Sequence, residues 1–510
     1  MKTVQLHYLF FLLWLVYSFS GYAQSIDDSF PRVKMRKDLE IFKNIRLKAN
    51  SGLYKYRTEK ETDSIYTWAE AQVERSASYR DFYNIIVKLT DFEGSLHNDT
   101  SLPEKYRKSM AAETSGYFPY PVKPVAGKWV LNMEGAEIPL GAEIVSVNGR
   151  PFGDIIADLG KYYTTDGVNI TGKTIGIQYN FSRYYRLHYG LEPAFTVCFI
   201  PHGSATEQYR TLKSAGYRDY YKNVKKRYSF PDDEANYKDW EEDEMYSFTV
   251  IDSITAILTV NSFSMGGKHS ASHKRYVHFL DSVFASVKQR EIKNLIVDVR
   301  YNGGGTDPND LVTYSYLTDR NFQENRQAWV SFRKVPYLRY AYSKTPAFLR
   351  PLGVGKYNRM LREEFPLEKE GRFYEDETSE DHRVRSPAKN AFTGNIYLLI
   401  SPRVASAGSL FAAMVAGNPN TVTIGEEAMG GYYGHNGHTP WGYILPKSGL
   451  ATFFSLVNLE QDVPEKTNQV YNRGIIPDYN VPRSFEDYLE HKDTQMAFVL
   501  ELIRKNNTLK

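Results

Sequence analysis

A serine stands at a predicted strand-to-helix turn in the second half of the chain. The apolar stretch Ile396-Tyr-Leu-Leu-Ile-Ser401 leads into Pro402-Arg-Val-Ala-Ser-Ala-Gly408, and a helical pattern runs from about Ala407 to Gly417. A serine in such a turn is exposed at the carboxyl edge of a sheet, where the following N–H groups and the helix dipole can stabilise an oxyanion. Ser406 is therefore a candidate nucleophile, although a serine that only caps the helix would give the same pattern.

Three consecutive glycines follow another apolar strand. They end the segment Asp298-Val-Arg-Tyr-Asn-Gly-Gly-Gly305. Glycines let the backbone turn sharply and present N–H groups to a bound oxygen, because no Cβ blocks the approach. The phosphate-binding patterns G-x-x-x-x-G-K-[ST] and G-x-G-x-x-G do not occur. The run therefore indicates either an oxyanion-binding turn or a simple tight turn.

Four motifs occur in a fixed order along this half of the chain, namely Asp298–Gly305, Ala405–Gly408, Ile424–Gly431 and Gly474–Asp478. Together they resemble the signature set of the tail-specific (C-terminal-processing) serine peptidases of family S41, and in particular a Bacteroidetes-like periplasmic member. Ile138–Gly149 resembles the PDZ segment of that family, and Ser484–Leu502 resembles its closing helix. The resemblance covers most of residues 80 to 502.

The resemblance implies a mixed α/β fold, with a ClpP/crotonase-like α/β catalytic domain, an embedded PDZ-like β-rich module and a small helical N-terminal region. It implies that Ser406 is the nucleophile and that polypeptide substrates are cleaved through an acyl-enzyme. The family pattern places the oxyanion hole at the N–H groups of Gly303, Gly304 and Ala407. Neither a cofactor nor a metal is expected.

Three positions depart from the family pattern. Gly431, Tyr471 and Ser409 stand where active relatives carry charged residues. The alternative function is therefore a catalytically degenerate protein of the periplasm that binds peptides or glycans on the same scaffold. A fold by itself does not decide between these two functions.

The sequence identifies the catalytic base less directly than the nucleophile. Many members use a lysine just after a G-E-x-x-x-G motif, but Gly431 stands there, which excludes a serine–lysine dyad at that position. The branch of the family that uses histidine places it in a loop before the PDZ module, where this chain has Ser95-Leu-His97-Asn98. An imidazole with a pKa near 6.5 suits proton removal from a serine hydroxyl. We predict His97 as the base, with Lys447 as the alternative.

An acidic partner for the histidine is not identified by its position. The histidine branch tends to place a glutamate three residues before the glycine of its G-x-x-P-D motif, where this chain has Tyr471. Glu460, Glu465 or Asp478 could replace it, and the sequence does not choose among them.

Two further histidines, His435 and His438, lie close together in a glycine-rich segment. A metal site would need at least a third ligand. The spacing therefore favours a surface loop near the mouth of the active site over a metal centre.

The composition and the N-terminal pattern of the 510-residue chain bear on where the protein is located and on what it binds. Lys2, the apolar stretch from Tyr8 to Val16 and the small residues up to Ala23 are typical of a cleaved signal peptide, which predicts a periplasmic or secreted protein. Cys198 is the single cysteine, so no intramolecular disulfide is possible, and it is expected to be a buried apolar residue. A formal net charge of +3 gives no electrostatic reason to expect nucleic-acid binding.

The alternation of predicted elements divides the chain into five parts: a signal peptide at 1–23, a helical N-terminal region at 24–115, a PDZ-like domain at 116–205, a connector at 206–246, and an S41 catalytic domain at 247–510 with an insertion around 320–390. The last part alternates apolar strands with helices, which predicts an α/β sheet that is buried on both faces.

Overall fold

A computed structural model describes residues 24–228, 240–343 and 350–508. The predicted signal peptide lies outside the described residues. None of the described helices is long and apolar enough to span a bilayer.

The helices that the structure describes are numbered here in chain order: α1 Arg32–Ala49, α2 Glu59–Arg75, α3 Tyr79–Phe92, α4 Glu104–Ala111, α5 Phe152–Leu159, α6 Lys173–Tyr189, α7 Tyr217–Lys225, α8 Ala271–Gln289, α9 Asn309–Ser315, α10 Arg350–Glu364, α11 Ala407–Gly417, α12 Phe485–Leu489 and α13 Thr494–Thr508.

The strands are numbered in the same way: β1 Asp99–Ser101, β2 Val122–Val125, β3 Lys128–Leu131, β4 Glu143–Val147, β5 Arg150–Pro151, β6 Ala194–Ile200, β7 Gln208–Lys213, β8 Tyr246–Val250, β9 Thr255–Val260, β10 Asn294–Asp298, β11 Asn325–Val330, β12 Leu367–Lys369, β13 Arg372–Tyr374, β14 Asn395–Ile400, β15 Thr421–Gly425, β16 Pro440–Ile444, β17 Ala451–Ser455, β18 Asn458–Gln461 and β19 Tyr479–Asn480.

A six-stranded sheet in the order β19-β15-β14-β10-β9-β8 forms the centre of the second half of the chain. Its strands are parallel except for β8, which pairs antiparallel with β9 at one edge. Leu295 and Val297 of β10 pack in the same cluster as α8 and α11, whereas Ile296 packs toward α13. Because helices cover both faces, β10 is apolar from Leu295 to Val297 and β14 is apolar from Ile396 to Ile400. The mixed α/β fold expected from the sequence is confirmed.

A second, antiparallel sheet in the order β2-β3-β4-β6-β7 occupies the range predicted as PDZ-like. It does not have a core of its own. One continuous apolar cluster contains residues of α1 to α3, of this sheet, and of the β16–β17 hairpin, where Leu445 and Leu450 lie. The N-terminal helices and the second sheet therefore pack as one unit.

The structure differs from the sequence-based division at 206–246. Strand β7 pairs with β6 along its whole length, and α7 follows it, so the first part of the predicted connector belongs to the second sheet. Only Leu212 of β7 is buried, because β7 is an edge strand with its other side chains in solvent. An edge strand of this kind lacks the apolar alternation by which strands are found in a sequence.

The predicted insertion around 320–390 supplies three strands of a four-stranded sheet in the order β12-β13-β11-β18, and β18 comes from later in the chain. Its apolar residues pack against the C-terminal half of α1 through Ile45 and Ala49. The insertion thus joins the N-terminal helices to the second half of the chain.

A buried ion pair connects α1 to the loop that carries His97. Arg46 is fully buried; its Nε lies 3.2 Å from Oε1 of Glu93, and its Nη2 donates to Oγ1 of Thr452 in β17 at 2.6 Å. The other oxygen of Glu93 accepts from the side-chain amide of Asn98 at 2.7 Å. The Arg46–Glu93 pair thus holds the His97 loop at its start, which is Glu93, and at its end, which is Asn98.

Replacing Arg46 by methionine should leave the carboxylate of Glu93 buried without a cation. Breaking one side of a buried pair costs about 3–5 kcal/mol of stability. Arg36→Met on the same helix is the matched control, because the Arg36–Glu74 pair is solvent-exposed and exposed pairs contribute little. Urea unfolding followed by circular dichroism measures both variants; equal losses in both would show that burial of the pair does not matter.

Candidate active site

Ser406 lies between the end of β14 and the start of α11, as the sequence predicts. Its backbone has φ 52° and ψ −135°, a conformation that residues other than glycine rarely adopt. Although Ser406 occupies the N-cap position, its side chain makes no cap hydrogen bond. The structure therefore does not support the interpretation of Ser406 as a helix-capping serine, and a strained serine of this kind is a feature of functional sites.

Asn302 organises the turn around this serine. Its fully buried side chain accepts a hydrogen bond from the N–H of Gly304 at 2.9 Å and donates one to the carbonyl of Val260 at 3.1 Å. The main-chain carbonyl of Asn302 accepts from the N–H of Ala405 at 3.2 Å. One residue thus ties the end of β9, the glycine turn and the serine turn together.

Two glycines permit the close approach of these turns. Gly304 has φ 108°, and a Cβ added to it would lie 2.7 Å from the Cβ of Ser406 and 3.1 Å from the nitrogen of Ala407. A Cβ on Gly408 would lie 2.4 Å from the carbonyl oxygen of Asn302. The distances of 2.7 Å and 2.4 Å are too short for a side-chain carbon, which explains why the two motifs contain glycine at these positions.

The N–H groups near Ser406 differ in what they bind. The N–H of Gly304 is occupied by Asn302, so this predicted oxyanion donor is not free in the structure. Ala407 is the first residue of α11, where an N–H has no partner within the helix. Gly303 is exposed and lines the cavity in front of Ser406. Gly303 and Ala407 are therefore the better-placed donors for an oxyanion.

A cavity of about 890 Å³ brings Ser406 and His97 together. Its wall also includes the glycine turn Gly303–Gly305 and Met429. Ser406 and His97 do not hydrogen-bond each other in the described structure. The two residues predicted to act together share one cavity but are not in contact through a hydrogen bond.

The imidazole of His97 is stacked on that of His435, with 5.0 Å between the ring centroids. Its Nε2 is buried without a hydrogen-bond partner among the described residues, and a Cβ on Gly437 would lie 2.6 Å from it. Burial lowers the pKa of His97 to about 4, so the ring is neutral at pH 7. Burial, with His97 and Lys55 nearby, also holds the pKa of His435 well below its usual value.

The prediction of a surface loop for the two histidines is wrong for His435, which is buried beneath the His97 loop. His438 lies apart from it, with its Nε2 3.0 Å from Glu364 and 3.3 Å from Asp381. The glycine-rich composition of the segment suggested exposure, but glycines also allow a backbone to pack closely, as Gly437 does against both imidazoles.

Asp166 is a buried carboxylate that the sequence did not single out. It accepts hydrogen bonds from the N–H of Leu96 at 3.0 Å and from the N–H of Gly431 at 2.9 Å. Burial raises its pKa to about 7, opposed by these two N–H groups and by Lys55, whose own pKa burial lowers to about 8. Asp166 joins the His97 loop to the segment where a lysine base was excluded. Its only sequence signal is an acidic residue before a glycine, which is common in surface turns.

None of the three carboxylates proposed from sequence as partners of the histidine lines the cavity that holds Ser406 and His97. Asp478 accepts from the N–H of Thr423 and from the side chain of Asn468, both at 2.9 Å, and so holds β19 beside β15. Glu460 acts on Lys55, whose pKa its charge raises against the larger effect of burial.

Lys447 and Ser409 also have defined places. Lys447 is exposed in the turn between β16 and β17, and its N–H donates to the carboxylate of Asp38 at 3.0 Å. It does not line the Ser406 cavity. Ser409 is buried in α11, and its Oγ donates to the carbonyl of Ser406 at 2.8 Å. Ser409 thus supports the first turn of the helix that carries the nucleophile.

Part of the chain matches the model of a known family. Residues 254–481 match the family model of Peptidase family S41 and form an S41 peptidase domain. The matched range includes Ser406 and the glycine turn, and it excludes His97. No curated protein sequence matches the chain.

Solved structures of CPAF share this fold at low sequence identity. The structure of mature CPAF complexed with lactacystin has a TM-score of 0.54 and 12% identity, and the match covers 90% of this chain and 96% of that chain. A second structure of mature CPAF has a TM-score of 0.53 and 13% identity, with 90% and 95% covered. A putative peptidase from Parabacteroides merdae ATCC 43184 has a TM-score of 0.41 and 16% identity, with 92% and 96% covered.

Gly304→Ala should displace Ser406, because the new Cβ would overlap the Cβ of Ser406 and the positive φ would be strained. A displacement of about 1 Å at a catalytic group costs on the order of 100-fold in rate. The rate of Ser406 labelling by a fluorophosphonate measures the effect. Gly303→Ala is the matched control: its Cβ meets no atom within 4 Å and its N–H is retained. Similar rates in the two variants would contradict the close-approach argument.

Proposed function

We propose that this protein is a serine endopeptidase that hydrolyses extended polypeptides through an acyl-enzyme on Ser406. The observation that carries the proposal is the conformation of Ser406, which is held at positive φ without a cap hydrogen bond and faces a cavity shared with His97 and Gly303. The S41 domain supports the reaction class. The periplasm or the exterior of the cell is the proposed location, on the signal-like N-terminus alone.

In the proposed reaction, neutral His97 takes the proton of the Ser406 hydroxyl while Oγ attacks the scissile carbonyl. The N–H groups of Gly303 and Ala407 stabilise the oxyanion that forms. His97 then gives the proton to the leaving amine, and the C–N bond breaks to leave the acyl-enzyme. Water, deprotonated by His97, hydrolyses the ester and restores the free serine.

His97 must approach Ser406 for this reaction, since no hydrogen bond joins them in the structure. Catalytic hydrogen bonds are often long or absent in a free enzyme and tighten when substrate binds. Asp166 and Glu93 hold the loop through hydrogen bonds to Leu96 and Asn98, whereas Nε2 of His97 has no hydrogen-bond partner among the described residues. Rotation of the ring toward the cavity would therefore break no hydrogen bond of that nitrogen.

A second cavity, of about 430 Å³, is a candidate place for the substrate chain. It lies along Lys123–Gly127, which includes the edge strand β2, and is also lined by Thr174 and Gln178 of α6. Ile175 and Tyr301 line both cavities, so the two adjoin. An extended chain could add to the β2 edge by strand addition and continue toward Ser406.

The alternative is a peptide- or glycan-binding protein that has lost catalysis. The stacking of His97 on His435, at 5.0 Å, favours it, as does the exposed Tyr471 at the place of the family's acidic residue. In that case the same cavities bind ligand, but Ser406 has no base.

Ser406→Ala should abolish covalent labelling by a fluorophosphonate, because only an activated serine hydroxyl reacts. Ser264→Ala is the control, since Ser264 is an exposed serine in the wall of the same cavity. Labelling that persists in Ser406→Ala would place the reactive group elsewhere. A wild-type protein that is never labelled would favour the binding function.

His97→Ala should lower kcat by about 10⁴ or more if His97 is the base, by analogy with other serine triads. Lys447→Ala should leave kcat close to wild type, because Lys447 is exposed outside the cavity. Only the neutral imidazole can accept a proton, and its pKa of about 4 means that kcat/KM stays level from pH 8 to about pH 5 and falls as the pH drops through 4. An acidic limb centred near 6.5 would contradict this assignment.

A further inference from the structure

Three carboxylates converge just beyond the glycine turn. Asp307, Asp310 and Glu324 each offer an oxygen, and these oxygens lie within 4.8 Å of one another. Asp310 is fully buried and Glu324 is 4% exposed, whereas Asp307 is exposed to solvent. The group is therefore closed on the protein side and accessible from one direction.

The buried carboxylates in this group lack partners. Both carboxylate oxygens of Asp310 and Oε2 of Glu324 have no hydrogen-bond partner among the described residues. The N–H groups of Asp310 and Leu311 are close enough to Asp310 to oppose part of the rise in its pKa, but they do not form hydrogen bonds of ordinary geometry. Buried polar atoms nearly always have a hydrogen-bond partner, so the two unpaired carboxylate oxygens of Asp310 indicate a missing ligand.

The charges around the group are unbalanced. Two cations lie near the group, Arg385 and His438, and both are already paired. Arg385 lies 3.5 Å from Glu380, and Nε2 of His438 lies 3.0 Å from Glu364 and 3.3 Å from Asp381. Among the described residues, the three carboxylates therefore have no cation of their own.

We propose that Asp307, Asp310 and Glu324 bind one Ca²⁺ ion. The donor set is entirely oxygen, which selects a hard cation and not Zn²⁺ or Cu²⁺. Three protein carboxylates suit the six to eight ligands of Ca²⁺, with water completing the shell on the side of exposed Asp307. Mg²⁺ usually retains most of its water and binds one or two carboxylates.

A neighbouring group, Glu364, Glu375 and His438, is not the metal site. Nε2 of His438 pairs with Glu364 and Asp381, and its Nδ1 lies 2.6 Å from Oγ1 of Thr439. Burial opposes the charge of this ring, but the hydrogen bonds to the two carboxylates outweigh it and raise the pKa of His438 well above its usual value. His438 is therefore a cation with both nitrogens engaged, and it cannot donate a lone pair to a metal.

The proposed ion would join three elements near the active site. Asp307 follows the glycine turn by two residues, Asp310 lies in α9, and Glu324 directly precedes β11. Gly305 already packs against Phe263, with which it forms a β-bridge. A bound ion would add a second anchor to the far end of the glycine turn. The sequence predicted no metal, because the three ligands come from two separate segments and match no spacing motif.

The test uses the full mature chain and CaCl₂ in isothermal titration calorimetry at pH 7.5, with MgCl₂ and ZnCl₂ as comparisons. We expect one Ca²⁺ per chain and a rise in Tm of more than about 2 °C at saturating Ca²⁺.

Asp310→Asn and Glu324→Gln should each weaken Ca²⁺ binding by at least about tenfold, which is about 1.4 kcal/mol. Both should also raise the Tm of the metal-free protein, because a buried repulsion is removed. Asp307→Asn should weaken binding too, and its exposed position makes a folding defect unexpected. Glu377→Gln is the control, since Glu377 is an exposed acid outside the group.

Two results would overturn the proposal. One is the absence of Ca²⁺ binding to wild type at millimolar concentration. The other is equal Ca²⁺ affinity in wild type and in all three ligand variants, which would place any binding elsewhere. Higher metal-free Tm in the variants without any Ca²⁺ response in wild type would identify a proton-sharing cluster and not a metal site.

Discussion

The amide of Asn302 is the interaction on which the site most depends. Its side chain holds the glycine turn to the end of β9, and its main chain holds the serine turn. A buried hydrogen bond contributes about 1 kcal/mol net, but an unmet buried donor or acceptor costs about 1–3 kcal/mol. Asn302 makes three such hydrogen bonds. The loss of any one of them would cost stability, so the unusual backbone of Ser406 is firmly maintained.

A different constraint governs the loop that carries His97. Glu93, paired with Arg46, accepts from the side chain of Asn98 at the end of the loop, and the buried Asp166 accepts from the N–H of Leu96 in its middle. Such groups are tolerated only because each is paired or hydrogen-bonded. The hydroxyl and the imidazole of the proposed reaction are therefore positioned by separate parts of the molecule, one by main-chain turns and the other by a polar network under a loop.

Local features were predictable from the sequence, and long-range features were not. The central strands β10 and β14 and the turn at Ser406 are encoded by continuous apolar runs followed by small residues, so a short window contains the whole signal. The burial of His435 and the role of Asp166 depend on segments far apart in the chain. Strand β7 was assigned to a connector because only one of its residues is buried. Only the structure shows which N–H groups are free to bind an oxyanion, since Asn302 already accepts from the N–H of Gly304.

The size of the cavity in front of Ser406 limits how a large molecule could reach the serine. The cavity itself, about 890 Å³, is roughly twenty times smaller than a folded domain of 100 residues, whose radius of gyration is about 13 Å. The size of the cavity therefore selects for the conformation of the chain that enters it. A polypeptide segment would have to be unfolded already, or be a free chain end, before it could reach Ser406.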